Sequence, residues 1–189
     1  MMEQTLILIK PDGVKRNLIG KIISRLEDSG LKVCALKMVW PDAKLAEQHY
    51  PLDEEWAKAV FKKTKTAFEK ENKEFEFSDY KKYGKFIQDS LKEFIRESPV
   101  VALVVKGPHA IEIVRKMVGV TEPRQAAPGT IRGDFASIES YERSNADKRA
   151  VRNLIHASDS PENAQREISL WFSKDEIHDY EKKDDYMIF

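Results

Sequence analysis

Residues Val100 to Val105 read Val-Val-Ala-Leu-Val-Val, an apolar run with no polar break, entered at Pro99 and left at Lys106. A strand with one wet face alternates apolar and polar residues. One that does not alternate suits a central position in a sheet, covered on both faces. The rest of the chain has to supply neighbours and cover for it.

Thr5-Leu6-Ile7-Leu8-Ile9-Lys10-Pro11 is a second short run of apolar and β-branched residues, halted by Pro11-Asp12-Gly13. That pattern predicts a buried strand running into a turn, with Lys10 as its last residue. Between Leu18 and Asp28, Ile19, Ile22, Ile23 and Leu26 recur at helical spacing, and Ser29-Gly30 supplies the stop. Leu31 to Trp40 returns as a strand, and Asp42 caps a short helix reaching His49-Tyr50. After the central run, Gly107-Pro108 is expected to open a helix with Ile111, Val114 and Met117 on its inner face. Gly119 to Phe135 reads as one long loop, stiffened by prolines and turned by glycines, and loops of that length tend to be functional.

Two stretches depart from this alternation. Pro51 to Glu97 is rich in lysine and glutamate with aromatics interspersed, which predicts amphipathic helices, with a helical insertion over about 52–90. Residues 136–150 are polar and charged, and read as a surface excursion. The element order then gives an α+β fold: a ferredoxin-like βαββαβ arrangement, a four-stranded antiparallel sheet with helices on one face, plus the inserted helices. No repeat or linker divides the chain, so residues 1–189 are expected to form a single domain.

Charge and composition remove several function classes. Lysine plus arginine equal aspartate plus glutamate at 32 each, so no net field draws the chain to nucleic acid or membrane. Cys34 is the single cysteine, and His49, His109, His156 and His178 lack zinc-ligand spacing, so neither a disulfide framework nor a structural metal is expected. No apolar run approaches a membrane span, and the first residues lack the basic start and apolar body of a signal peptide; a cytoplasmic protein is expected.

One stretch invites chemistry. Arg152 to Pro161, RNLIHASDSP, places His156 where a strand hands over to a helix, a junction at which side chains are displayed. Ser160 is a good cap and Pro161 a good first helical residue, and Ala164, Ile168, Trp171 and Phe172 mark the apolar stripe that follows. A neutral imidazole is a competent nucleophile near neutral pH.

Asn153-Leu154-Ile155-His156-Ala157-Ser158-Asp159 resembles the histidine signature of nucleoside diphosphate kinases. Ile9-Lys10-Pro11-Asp12, Arg115 ahead of Gly119, Pro128-Gly129-Thr130-Ile131-Arg132-Gly133-Asp134-Phe135, and Ser160, Glu162, Glu167 and Leu170-Trp171-Phe172 resemble that family's motifs in the same order. The resemblance implies a phosphotransferase that moves the γ-phosphoryl group of a nucleoside triphosphate to a nucleoside diphosphate through a phosphohistidine on His156, at Nδ1, in a ping-pong cycle. It further implies Lys10, Arg115 and Arg132 as the cationic cradle, Thr121 as a phosphate contact, Asn153 with Lys10 on the ribose-hydroxyl side, and Glu167 as the carboxylate orienting the imidazole. Tyr50 is implied to hydrogen-bond near Lys10, and Ser158 to support the carboxylate or the lysine. The base-stacking position falls between Tyr50 and Pro99, where Phe86 and Ile87 are the nearest candidates. Mg2+ is implied on the nucleotide phosphates, ATP and other nucleotides as substrates, and a homo-oligomer, commonly a hexamer with tetramer or dimer as alternatives.

One residue departs from the pattern: Ala157 stands where the family usually has glycine, which matters if that backbone needs a left-handed angle. The competing class is a non-catalytic relative that keeps the pocket as a binding or assembly module. It would more often have lost one of Lys10, Arg115, Arg132, Asn153 or His156, and all five are present.

Overall fold

A computed structural model describes residues 2–70 and 72–182. Strands β1 (Met2–Ile9), β2 (Lys32–Val39), β3 (Val100–Pro108) and β4 (Ile155–Ala157) form one sheet in the order β2-β3-β1-β4, with every pairing antiparallel. The unbroken apolar run is β3, inside the sheet, and none of Val100 to Val105 is more than 3% exposed. The connecting helices are α1 (Pro11–Lys15), α2 (Ile19–Asp28), α3 (Ala43–His49), α4 (Glu54–Lys70), α5 (Tyr80–Ile95), α6 (Ala110–Val118), α7 (Ile131–Ala136), α8 (Tyr141–Ala146) and α9 (Pro161–Trp171).

Because side chains alternate across a strand, β1 and β3 feed two cores. Ile7, Ile9, Leu103 and Val105 pack on Ile22 and Leu26 of α2 and Val114 and Val118 of α6, the two crossover helices. Leu6, Leu8, Ala102 and Val104 face the other way, onto Ala46 of α3, Ile95 of α5 and Ile168 and Trp171 of α9. The central strand is therefore covered on both sides, as its composition requires.

Local caps account for several boundaries. Asp42 accepts a hydrogen bond from the Leu45 N–H at 2.7 Å, and Ser160 accepts one from the Asn163 N–H at 3.1 Å with Pro161 at the first helical position. Other boundaries differ from expectation. Pro11-Asp12-Gly13 is not a simple turn but the body of α1, where a proline opening a helix loses nothing by lacking an N–H. Gly107-Pro108 closes β3 instead of opening a helix, because β1 pairs out to Met2 opposite Pro108; α6 starts only after His109, whose φ of 52° is left-handed. The stretch from Gly119 to Phe135 is not one loop. It contains a 3-10 turn at Pro123–Gln125 and then α7, capped by Thr130 Oγ1 accepting from the Gly133 N–H at 3.1 Å. Glycine is needed at 133, since a Cβ there would sit 2.1 Å from the Ala127 carbonyl oxygen.

Residues 136–150 also depart from a surface excursion. Glu139, Ser140, Tyr141, Ser144 and Ala150 are buried, because the Tyr141 N–H donates to buried Glu122 at 3.0 Å and the Glu139 carboxylate is gripped by Arg149 at 2.7 Å. Paired in this way, charged residues enter the interior without leaving an uncompensated charge. The segment thereby reaches inserted helix α4, and Tyr141, Ser144 and Ala150 line a cleft at the end of β1.

Candidate active site

Strand register brings the motifs together. Leu8 lies opposite His156 and Ile9 opposite Ile155, so β4 runs beside the end of β1 where Lys10 emerges. The Lys10 N–H donates to the Leu154 carbonyl at 2.8 Å, and the Asp12 carboxylate accepts from the Leu154 N–H at 3.0 Å. Leu154 has a φ of 66°, and the Ile155 N–H turns back to the Asn153 carbonyl at 2.7 Å, a tight kink just ahead of the histidine. The left-handed residue of the motif is thus Leu154. Ala157, where glycine was expected, sits in β4 opposite Ile7 and carries no positive φ, so alanine is compatible with the backbone.

A cleft of about 460 Å³ opens over this junction, lined by Lys10, Tyr50, Ile87, Arg115, Thr121, Arg132, Asn153, His156 and Glu167 among the residues singled out from the sequence. Two of that set lie elsewhere. Ser158 is behind the wall, and Phe86 is not at the cleft; it stacks on Phe77 with ring centroids 5.4 Å apart, inside the aromatic cluster of the inserted hairpin.

His156 Nε2 is 2.8 Å from Glu167 Oε2, which also accepts from the Ser158 hydroxyl at 2.6 Å, while the Leu6 N–H donates to that hydroxyl at 3.3 Å. Ser158 therefore supports the carboxylate and not the lysine. Burial pulls the Glu167 pKa upward, but the hydrogen bond and charge of His156, the Ser158 hydroxyl and the charge of Arg166 outweigh it, and the carboxyl is held below its ordinary range. An ionised Glu167 fixes the imidazole proton on Nε2 and leaves the Nδ1 lone pair without a partner among the described residues.

The cations are arranged around this pair. Lys10 is buried and donates to Asn153 Oδ1 at 2.8 Å, and the Asn153 amide nitrogen donates to the Thr121 carbonyl at 3.0 Å. Burial, reinforced by Arg132 and opposed by Asp12, lowers the Lys10 pKa to about 7. Arg132, also buried, spends Nε on the Asn153 carbonyl at 3.2 Å, Nη1 on Gly119 at 2.8 Å and Nη2 on Ile155 at 2.7 Å. Two of its five N–H groups remain for the cleft. Burial, then the charge of Arg115, lowers its pKa to about 10. Arg115 reaches the Ala157 carbonyl at 3.4 Å. None of Lys10, Arg115 and Arg132 forms an ion pair among the described residues, which leaves the cleft short of negative charge.

Tyr50 does not make the expected hydrogen bond near Lys10. Its hydroxyl is buried without a partner among the described residues, the Lys10 ammonium donating to Asn153 instead, and its ring lies edge-on to His49 at 4.5 Å. Burial, then Glu167 and Asp12, pushes its pKa up, so it stays a neutral phenol. His49 was not singled out from the sequence, where nothing distinguishes it from any helix-end histidine. It lies edge-on to His156 with centroids 4.6 Å apart, accepts from the Trp171 indole N–H at 3.3 Å, and is kept neutral by burial and then by the fields of His156, Lys10 and Arg166.

Known proteins match this chain in sequence and fold. The family model described as nucleoside diphosphate kinase matches residues 3–72 and 63–177. A nucleoside diphosphate kinase from Pyrobaculum aerophilum is 44% identical over 93% of this chain and 98% of its own length, and one from Pyrococcus furiosus is 44% identical over 98% and 92%. Among solved structures, an NDP kinase from Pyrobaculum aerophilum superposes with a TM-score of 0.88 at 42% identity, covering 95% of this chain and 100% of that one. A transition state mimic of nucleoside-diphosphate kinase from Borrelia burgdorferi with bound vanadate and ADP gives 0.81 at 39% identity, covering 98% and 96%.

Proposed function

The chain belongs to the nucleoside diphosphate kinase family, a phosphotransferase acting between nucleoside tri- and diphosphates, and on that premise we propose that His156 carries the γ-phosphoryl group from one to the other, maintaining nucleoside triphosphate pools. The observation that carries the proposal is the pairing of His156 Nε2 with Glu167, which leaves Nδ1 without a partner among the described residues at a cleft where Lys10, Arg115 and Arg132 form no ion pair. In the first half-reaction Nδ1 forms a bond to the γ-phosphorus as the bridging oxygen departs with the diphosphate. The ring, now bearing both the phosphoryl group and the Nε2 proton, is positively charged, and Glu167 stabilises that charge. In the second half-reaction a terminal oxygen of a different diphosphate takes the phosphoryl group, and the ring returns to its starting state.

Lys10, Arg115, Arg132 and Thr121 are proposed to hold the phosphates, with Asn153 and Lys10 on the sugar hydroxyls. Of the two base-stacking candidates Ile87 is retained, since it lies at the cleft. Mg2+ is proposed to enter with the nucleotide: the one cluster of ligating groups among the described residues, His49, His156 and Glu167, is nitrogen-rich, whereas magnesium prefers oxygen. Bound to the phosphates, it would offset charge on the transferring group.

The direct test is incubation with ATP labelled at the γ-phosphate. Protein-bound, acid-labile label that any nucleoside diphosphate discharges is the expected result; a chain that binds ATP and never becomes labelled is the non-catalytic module instead.

The lowered Lys10 pKa gives a pH dependence. Free protein loses the Lys10 proton as pH rises through about 7, whereas a bound phosphate favours the ammonium and raises its pKa. ADP binding should then take up protons, approaching one near pH 8, and affinity should fall as pH rises above 7. Calorimetry at pH 8 in buffers of different ionisation heat measures the uptake; equal heats in all buffers would contradict it.

No helix among the described residues is long and apolar enough to cross a membrane. We propose a cytoplasmic site of action, where the nucleotide pool is, and self-association into a homo-oligomer, hexameric in the first instance. Leu36, Met38 and Trp40 on and just beyond edge strand β2 are 52%, 57% and 65% exposed, an apolar row that supports a protein contact. Light scattering that returns the mass of one chain would remove that part of the proposal.

A further inference from the structure

We infer that Lys63, hung from the inserted helix α4, is a further ligand for the nucleotide phosphates and completes one anion-binding wall with Arg115, Arg132 and Thr121. The inference rests on the nucleotide-binding reading of the cleft and adds to it a cation that the family motifs do not include.

Three observations converge. The first is helical geometry. Trp56, Val60, Lys63 and Thr64 lie at i, i+4, i+7 and i+8 along α4, and all four line the cleft, so this stripe of the helix is the one turned toward the site. Lys63 is the cation on that stripe.

The second is the contact it makes. Lys63 Nζ donates to Thr121 Oγ1 at 2.9 Å, from a residue 58 positions away. The Thr121 hydroxyl, accepting from the ammonium, also lies within reach of the Tyr141 phenol, from which its hydrogen can turn to a phosphate oxygen. One anion at this point would meet a hydroxyl and an ammonium together.

The third is what Lys63 lacks. Lys58 pairs with Glu54 and Lys65 with Glu69 along the same helix. The positions four residues either side of Lys63 are Ala59 and Ala67, and those three away are Val60 and Thr66, so the helix offers it no carboxylate. Among the described residues it forms no ion pair at all. Partial desolvation at the cleft rim first, then the positive fields of Arg132 and Arg115, push its pKa below the ordinary lysine range, with Glu122 opposing. A cation set down beside two arginines without a carboxylate is destabilised in the empty cleft and relieved when an anion arrives. Lysine serves this purpose as a point charge on a flexible stem, which suits a phosphate whose position shifts between tri- and diphosphate.

The test compares the dissociation constant for ADP, by equilibrium dialysis, in wild type, Lys63→Met, Lys63→Arg and, as a control on the same helix, Lys65→Met, with circular dichroism to establish folding. Lys63→Met should weaken ADP about tenfold, the scale of one lost charge-assisted contact, whereas Lys63→Arg and Lys65→Met should stay within about threefold of wild type. The inference is overturned if Lys63→Met binds ADP within threefold of wild type, or if Lys63→Arg loses as much as Lys63→Met, which would mean that the side chain acts through packing. Wild-type labelling by γ-phosphate ATP is run alongside. Its failure would strike the phosphotransfer reading, while the ADP comparison would still decide the role of Lys63.

Discussion

Replacing His156 with alanine should abolish acid-labile labelling and lower phosphotransfer by about 10⁴-fold or more, the scale on which an enzyme suffers when its covalent nucleophile is removed. That corresponds to about 5 kcal/mol of transition-state stabilisation. The reason is positional. Of the two imidazoles at the cleft, His156 has an Nδ1 without a hydrogen-bond partner among the described residues, whereas His49 Nδ1 accepts from the Trp171 indole, which puts the His49 proton on Nε2. The fold should survive, because Glu167 keeps its contacts to Ser158 and Arg166. The melting temperature is expected to move by no more than about 4 °C. Label persisting on a folded His156→Ala chain would send the search to another nucleophile.

Arg132→Met should cost both stability and activity. The buried guanidinium ties the carbonyls of Gly119, Asn153 and Ile155, which belong to the loop after α6 and to the approach of β4. Losing it leaves the Gly119 and Ile155 carbonyls without that donor, while the Asn153 carbonyl keeps the Ile155 N–H; at roughly 1–2 kcal/mol for each orphaned acceptor, partly offset by relief of a buried charge, about 2–3 kcal/mol is expected. For a chain of this size that lowers the melting temperature by about 5–10 °C. Phosphotransfer should fall about 100-fold, since one cation is lost and the backbone around Asn153 loosens. Arg132→Lys keeps the charge but offers one nitrogen in place of three, and should not rescue stability. A methionine variant that melts with wild type would show that these carbonyls find other partners.

Strands and capped helices were legible because their signals are local. A cap such as Ser160-Pro161, or a run such as Val100 to Val105, is decided by a few neighbouring residues. The fates of Gly107-Pro108 and of residues 136–150 were not legible, because they are set by partners far along the chain: β1 for the first, Glu122 and the inserted helices for the second. The site shows the same division. Motif residues reached one cleft, but counting back from Pro99 could not choose between Phe86 and Ile87, which point about 100° apart on a helix. Tyr83, Ile87 and Leu91 form the stripe that faces the cleft, and Phe86 turns into the aromatic cluster. His49 and Lys63 carry no mark in the sequence, since what distinguishes them is the company they keep in space.

The kink at Leu154 bears on how the nucleophile is kept in place. β4 is three residues long, too short for its own ladder to resist sliding along β1, and a slip of one residue would turn His156 to the opposite side of the sheet. With Asp12 gripping one side of the bend and Arg132 the other, the bend acts as a mechanical stop, so that alignment of the phosphate carrier is enforced at a corner and not by strand length.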